Sequence, residues 1–506
     1  MSRSDIADVA GLVDRARELY ADDPEAMDIL DAYDQRMREP LRLALAGIVK
    51  AGKSTLLNAL IGEQIAPTDA GECTRTITWY RYGRTPKITV HLHEGEPVRM
   101  PVRRVDGRLS LDLGKRTADE VAWIDIEWPS EHLRQTVLID TPGIASLSTQ
   151  TSQRSTDFFL PQDAPSVADA IVYLLRHVHA EDLGFLEAFR DTAAGPSQTV
   201  NALAVLSRAD EIGSARIDSL LSASRIADRY RRDGELQSLA LDVIPVAGLL
   251  AEGARTLRES EFAALRQIAD LDRDVRERLL ISVDRFCRRS DEVGVSVPDR
   301  RRLLQRFGLF GVRLSAALIR AGATTSTDLA ERLVQQSGLL EVQRFITAQF
   351  RARAAALKSR GVLTGLDALV RARRRDGDAE LLAGIERQIA ATHELRELFL
   401  LAGLRTSTGV LPASDIPEAE RIVGGSGTDA LTRLGLPDTA DGPDMAARVE
   451  ELLARWRTLG ESPLATRATA EACRTVVRSI EGVASELAAR GKLRPAPDVV
   501  LAGGPA

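Results

Sequence analysis

Apolar positions along this chain follow two different periods. Up to about residue 250, short apolar runs at 41–46, 136–139, 170–175, 201–206 and 241–246 read as strands buried on both faces. Helical segments lie between them, and the alternation predicts a largely parallel sheet covered on both sides. Strict alternation in Ile88-Thr89-Val90-His91-Leu92 and in Leu109-Ser110-Leu111-Asp112-Leu113, with Asp106-Gly107 between, predicts an inserted hairpin within two β-rich pieces, 77–113 and 121–128. After about 255 the period becomes helical, as in Met445, Val449, Leu452, Leu453 and Trp456, then Cys473, Val476, Val477, Ile480, Val483 and Leu487. Pro- and Gly-bearing breaks at 411–417 and 435–443 separate these helices. Ile6, Val9, Leu12, Val13, Ala16 and Leu19 make residues 5–38 an amphipathic helix or helix pair, stopped by Pro40. The expected architecture is an α/β head over 41–325 and an elongated all-α neck and trunk from 1–40 and 326–494. A disordered tail, 495–506, completes it.

Composition narrows this picture modestly. A chain of 506 residues exceeds what one compact core organises. The net charge of −6 argues against a dedicated nucleic-acid binder. Cys73, Cys287 and Cys473 lack metal-ligand spacing and read as reduced thiols of a cytosolic protein. His177 and His179 flank a strand end with no carboxylate at ligand spacing, and read as structural or surface residues. Met1 to Asp8 has no signal-peptide pattern, and no apolar run reaches the ~18 residues of a bilayer-spanning helix. Of the basic residues 61 are Arg and only 6 are Lys, so two lysines inside one glycine loop carry information.

That loop is Gly47-Ile48-Val49-Lys50-Ala51-Gly52-Lys53-Ser54, between an apolar strand and the helical Thr55-Leu56-Leu57-Asn58-Ala59-Leu60. Its glycines let successive N–H groups form a phosphate nest, and the following helix adds its positive end. Lys53 is placed for the β- and γ-phosphates and the Ser54 hydroxyl for Mg²⁺. Asp140-Thr141-Pro142-Gly143 ends a strand, where Asp140 can hold Mg²⁺ through water and the Gly143 N–H can sense the γ-phosphate. Thr74, with Thr76 as its competitor, lies where a switch threonine closes on metal and γ-phosphate. Ser207-Arg208-Ala209-Asp210 follows a strand, and Asp210 can accept from guanine N1 and N2. Ala247, after the last strand, is where an N–H could meet guanine O6.

Together these motifs resemble those of bacterial dynamin-like GTPases, and more narrowly of the actinobacterial isoniazid-inducible dynamin-like proteins. The narrower likeness rests on residues 50–60, 206–211, 243–252 and 304–314, the last being Leu304-Gln305-Arg306-Phe307-Gly308-Leu309-Phe310-Gly311-Val312-Arg313-Leu314. The resemblance implies hydrolysis of GTP with Mg²⁺ and pairing of heads across the nucleotide site, with itself or a paralogous dynamin. It also implies peripheral association with the inner face of the plasma membrane. A GTP-dependent switch acting on protein or RNA, without membrane work, is the competing reading. Two departures stand out: Arg208 replaces the usual lysine of the base motif, and Val49-Lys50 replaces the Gln-Ser of eukaryotic dynamins. There the serine helps hold a monovalent cation, and Lys50 is the candidate to supply that charge directly. Ile144 cannot orient water, so Thr74 or main-chain groups must.

Two segments are weighed as lipid contacts. Arg351, Arg353, Lys358 and Arg360, with Arg371, Arg373, Arg374 and Arg375, form either a headgroup-binding run or a solvated helix face. Residues 398–404 are either an insertion tip or a buried helix end.

Overall fold

The computed structural model describes residues 3–67, 76–105, 107–114, 116–142, 167–179, 182–187, 200–212, 216–232, 236, 238–406 and 409–492. Thr74, Gly143, Ile144 and the tail lie outside these residues.

Among the described residues eleven strands form: β1 (Leu41–Gly47), β2 (Thr78–Tyr82), β3 (Lys87–Leu92), β4 (Val98–Met100), β5 (Arg103–Val105), β6 (Arg108–Ser110), β7 (Val121–Trp128), β8 (Thr136–Asp140), β9 (Ala170–Leu175), β10 (Ala202–Ser207) and β11 (Val243–Val246). The principal helices are α1 (Arg3–Leu19), α2 (Pro24–Arg38), α3 (Lys53–Ile61), α4 (Ser219–Arg232), α5 (Gly248–Arg255), α6 (Glu259–Ala269), α7 (Val297–Arg320), α8 (Ser326–Gln336) and α9 (Ala354–Ala372). They continue as α10 (Asp378–Ala391), α11 (His393–Thr406), α12 (Ala430–Leu434), α13 (Gly442–Gly460) and α14 (Arg467–Ala489).

Two compact units result, Tyr20–Ala372 and a unit joining α1 to the chain from Arg373 onward. The first contains a nine-stranded sheet ordered β11-β10-β9-β1-β8-β2-β7-β3-β4. Five strands, β11 to β8, are mutually parallel, and β9 and β10 are buried along their whole length. This is the half that the continuous apolar runs predict. From β2 outward the sheet turns mixed, since β2 runs antiparallel to β8 and parallel to β7, while β3 is antiparallel to both β7 and β4.

The expected hairpin is repartnered. Ile88–Leu92 pairs with β7 and β4 and not with Leu109–Leu113, and the turn containing Gly107 joins a separate two-stranded sheet, β5–β6. Alternation fixes which face a residue occupies, but not which strand lies beside it.

Within the same unit α2 begins at Pro24, capped by the Asp23 side chain. Arg36 of α2 donates to the fully buried Asp169 carboxylate at 2.7 Å, and the other oxygen of Asp169 accepts from the Arg42 N–H at 2.8 Å. The basic run near α9 belongs to this packing. Arg351 donates to Thr136 Oγ1 at 2.8 Å, Arg353 to Gln349 at 3.0 Å, and Lys358 to the Glu39 carbonyl at 2.8 Å. Arg360 is buried, which pushes its guanidinium down to about 9. These four side chains hold α9 in place and present no headgroup-binding surface. Their long aliphatic stems fit the packing while the tips of Arg351, Arg353 and Lys358 find oxygen acceptors. Arg371 is instead an exposed partner of Asp367.

Among its described residues the second unit has helices joined by turns and no strand. Asp441 and Asp444 form a reciprocal cap on α13, and Thr466 caps α14. Met445, Val449, Leu452 and Trp456 of α13 are buried, as are Cys473, Val476, Ile480, Val483 and Leu487 of α14, at the spacing the sequence predicts. Leu398, Leu401 and Ala402 are buried in α11, which makes residues 398–404 part of a core and not an exposed tip. Among the described residues no helix is long and apolar enough to cross a membrane.

Candidate functional site

Strand β1 ends at Gly47, whose φ is 140 and where a Cβ would run into the Leu174 carbonyl oxygen of β9. Only glycine lets the chain leave the sheet here. Lys50 is a second turning point, exposed, with φ 62, and Gly52 follows at φ 97 before α3 begins. A lysine in the left-handed region is a strained choice that the surrounding loop has to hold.

Lys53 opens α3 with its ammonium buried, donating to the carbonyls of Gly47 at 3.0 Å and Ile48 at 3.2 Å. Burial pulls its pKa down to about 8, against the opposing pull of Asp140. The neighbouring Ser54 hydroxyl donates to Asp140 Oδ2 at 2.6 Å. Asp140 sits at the end of β8; burial raises its pKa, while Ser54 and Lys53 oppose the rise. Its other oxygen, Oδ1, is buried with no hydrogen-bond partner. An orphaned carboxylate oxygen beside a serine hydroxyl and an ammonium fits a divalent cation and phosphate, because it is costly to leave unmet. Thr141 fastens this corner by donating to the Leu45 carbonyl of β1 at 2.8 Å. Thr76 is buried two residues before β2, and Thr74 and Gly143 lie outside the described residues.

A cavity of about 150 Å³ opens beside the loop, lined by Ala51, Gly52 and Thr55 on one side and by Ser207, Arg208 and Asp210 on the other. Asp210 is buried, and that burial lifts its pKa to about 6. Arg208, at φ 53, donates to the Lys50 carbonyl at 3.1 Å and to Glu211 at 2.7 Å, so the arginine bridges the glycine loop to the Asp210 segment. The Ser207 hydroxyl donates to the Leu175 carbonyl at 3.1 Å and so secures the ends of β9 and β10. Ala247 is placed differently from the role expected of it. Its N–H donates to the Ser337 carbonyl at 2.9 Å, while its neighbours Val246, Gly248 and Leu249 line the cavity.

The sequence reading missed two features of this corner. Leu249 walls the cavity from α5. Gly308 breaks the φ/ψ run of α7, at φ 64 and ψ 175, where a Cβ would lie 3.6 Å from Leu249 and 3.9 Å from the Asp210 carboxylate. A glycine inside a strongly helical segment was the available signal.

A parallel sheet whose central strand runs through a glycine nest into a helix, with a buried Ser–Asp pair beside it, defines the class: a P-loop head of the kind that binds nucleoside triphosphates. The family model described as "Dynamin family" matches residues 43–181. The isoniazid-induced protein IniC of Mycobacterium tuberculosis is 41% identical over 461 residues, which covers 91% of this chain and 93% of that protein. The bacterial dynamin-like protein of Nostoc punctiforme is 31% identical over 128 residues, 23% of this chain and 18% of that one. A solved chain from an oligomerised bacterial dynamin pair aligns over 97% of this chain and 74% of its own, at 12% identity and a TM-score of 0.37. The chain belongs to the dynamin family of GTPases, among its bacterial dynamin-like members.

Proposed function

We propose that this chain hydrolyses GTP to GDP and phosphate and couples pairing of its heads to binding or remodelling of a membrane at its cytoplasmic face. One observation carries the hydrolytic part: the Ser54–Asp140 pair, with its orphaned carboxylate oxygen, stands beside the buried Lys53 at the mouth of a glycine nest. The N–H groups of residues 47 to 55 receive the phosphates, chiefly those of Gly47, Lys50, Ala51, Gly52, Lys53, Ser54 and Thr55. Lys53 exchanges its two carbonyl partners for phosphate oxygens. Mg²⁺, when bound, neutralises charge on the β- and γ-phosphates, and Ser54, Asp140 and Thr74 are the residues to hold it. Gly143 is assigned to the γ-phosphate through its N–H.

At the other end Asp210 takes the two donors of guanine, Arg208 fixes the pocket wall, and Ser207 shapes its floor, with Val246, Gly248 and Leu249, the neighbours of Ala247, beside it. Lys50 lies at the loop apex, and we assign its ammonium to the charge that develops near the β–γ bridge. The membrane part rests on family membership, as does pairing with a second copy or a paralogue.

The test is phosphate release measured with and without anionic phospholipid vesicles, alongside co-sedimentation in GTP and in GDP. Lys53→Ala is expected to abolish turnover, and GTP-dependent sedimentation is expected for the unaltered chain. Turnover indifferent to lipid, with no sedimentation, would replace the membrane reading by a soluble switch. Lys50→Ser is expected to slow turnover at least tenfold (about 1.4 kcal/mol) and to make it potassium-dependent. Unchanged, potassium-independent turnover sinks the Lys50 assignment.

A further inference from the structure

A separate cleft of about 1080 Å³ lies in the head unit between the β5–β6 hairpin and the helices α5, α6 and α7. Its volume is slightly above the roughly 300–1,000 Å³ that small-molecule sites enclose. Thr55 and Leu249 line both this cleft and the cavity beside the glycine loop, so the two are neighbours.

The charge within it is opposite to that of the chain. Five arginines line the cleft (Arg108, Arg116, Arg258, Arg302 and Arg306) against three acids, Asp112, Glu252 and Glu261, in a protein of net charge −6. The acids are largely committed. Glu261 is bound by Arg306 at 2.9 Å as a buried pair. Glu252 is buried and accepts from Gln64 at 2.7 Å and Asn58 at 3.3 Å. Asp112 accepts from the Gly114 N–H at 2.9 Å. Arg302 shares only an exposed ion pair with Asp299 at 3.3 Å, the kind worth under about 1 kcal/mol and easily surrendered. From the α6 side the Arg258 guanidinium reaches across to the hairpin turn, where a Cβ on Gly107 would be 2.7 Å from its Nη2. Apolar walls accompany these cations, including Leu109, Leu111, Leu113 and the exposed Val105 of the hairpin.

Convergent arginines suit planar or tetrahedral oxyanions, and apolar walls suit a ring or chain attached to them. We propose that this cleft is a second ligand site of the head, which takes an organic phosphate, with Arg108, Arg258 and Arg302 on the phosphate and the hairpin leucines on its organic part. The site is wired to the glycine loop. Glu252 lies in the cleft, and its partner Asn58 belongs to α3, the helix that begins with Lys53 and Ser54. Occupancy of the cleft therefore biases the nucleotide site, and by linkage the bias is mutual.

The inference rests on the P-loop reading only in that the loop must be filled during the test. The full chain, saturated with labelled GDP and Mg²⁺, is titrated by calorimetry with ATP and with inorganic tripolyphosphate, each as its magnesium complex. Displacement of the GDP is followed in parallel. One binding event per chain without GDP release is expected, tighter for ATP than for tripolyphosphate, and weakened about tenfold or more in Arg108→Glu/Arg302→Glu. Because that double reversal could disturb the hairpin, Arg302→Gln alone is run beside it, with an expected severalfold weakening and an unchanged melting temperature. Absence of the second event, GDP displacement, or equal affinity in both variants overturns the proposal. Failure of GDP to bind at all overturns the P-loop reading instead.

Discussion

Burial moves two titratable groups at opposite ends of the proposed nucleotide site in opposite directions. Lys53 is brought down to about 8 and Asp210 up to about 6. Bound phosphates favour the charged ammonium, so Lys53 contributes affinity that is complete below about 8 and is lost as the pH rises above it. Guanine donors favour the ionised carboxylate, so Asp210 contributes affinity that is complete above about 6 and is lost as the pH falls below it. GDP affinity is therefore expected to plateau between those values and to fall about tenfold per pH unit on either side. Calorimetry across pH in buffers of different ionisation heat checks both the limits and the direction of proton uptake; a flat profile would remove both assignments. Lys53, Ser54, Asp140 and Asp210 were legible from the sequence because short motifs fix them against the backbone. Glu252, Leu249 and Gly308 were not, since each acts through a neighbour far away in the chain.

At the scale of elements, one polar cluster holds three helices of the α1-containing unit together. Glu397 of α11 accepts from the Ser479 hydroxyl of α14 at 2.7 Å, pairs with Arg433 of α12 and lies 3.3 Å from His393. Burial alone would push its carboxyl up, but His393, Arg433 and Ser479 outweigh it and hold the group at about 2. A depressed carboxylate contributes stability that is present above its ordinary value near 4.5 and disappears as the pH falls toward 2. Glu397→Gln strands Arg433, and is expected to cost about 3 kcal/mol at neutral pH and to flatten the acid limb of the melting curve. Helical circular dichroism against temperature and pH measures both; an unaltered acid limb would assign the limb to other carboxylates. The helices themselves were legible, because their apolar period and caps are local. This cluster was not, for its members are scattered from 393 to 479.

Across the head unit, the chain from Tyr20 to Ala372 is bound to its sheet by buried charge. Arg36–Asp169 is almost free of solvent, and Lys358 closes on the carbonyls of Met37 and Glu39. Arg36→Ala leaves the Asp169 carboxylate buried without its cation and is expected to lower stability by about 3–5 kcal/mol, read by denaturant unfolding of the full chain. A loss below about 1 kcal/mol would mean that the pair is offset by its own desolvation. The sequence alone determined the parallel half of the sheet, the helical remainder, the glycine nest and the meeting of Lys53, Ser54 and Asp140 beside it, because periodicity and loop geometry act over a few neighbouring residues. Only the tertiary structure decided that β3 joins β7 and leaves β5 and β6 as a separate ribbon. It also packed Arg351, Arg353, Lys358 and Arg360 of the basic run into the head unit while leaving Arg371 exposed, engaged the Ala247 N–H with Ser337, and gathered arginines from the hairpin and from α6 and α7 around one cleft. These outcomes depend on which distant surfaces meet, and burial and hydrogen-bond satisfaction settle that only once the whole chain has packed.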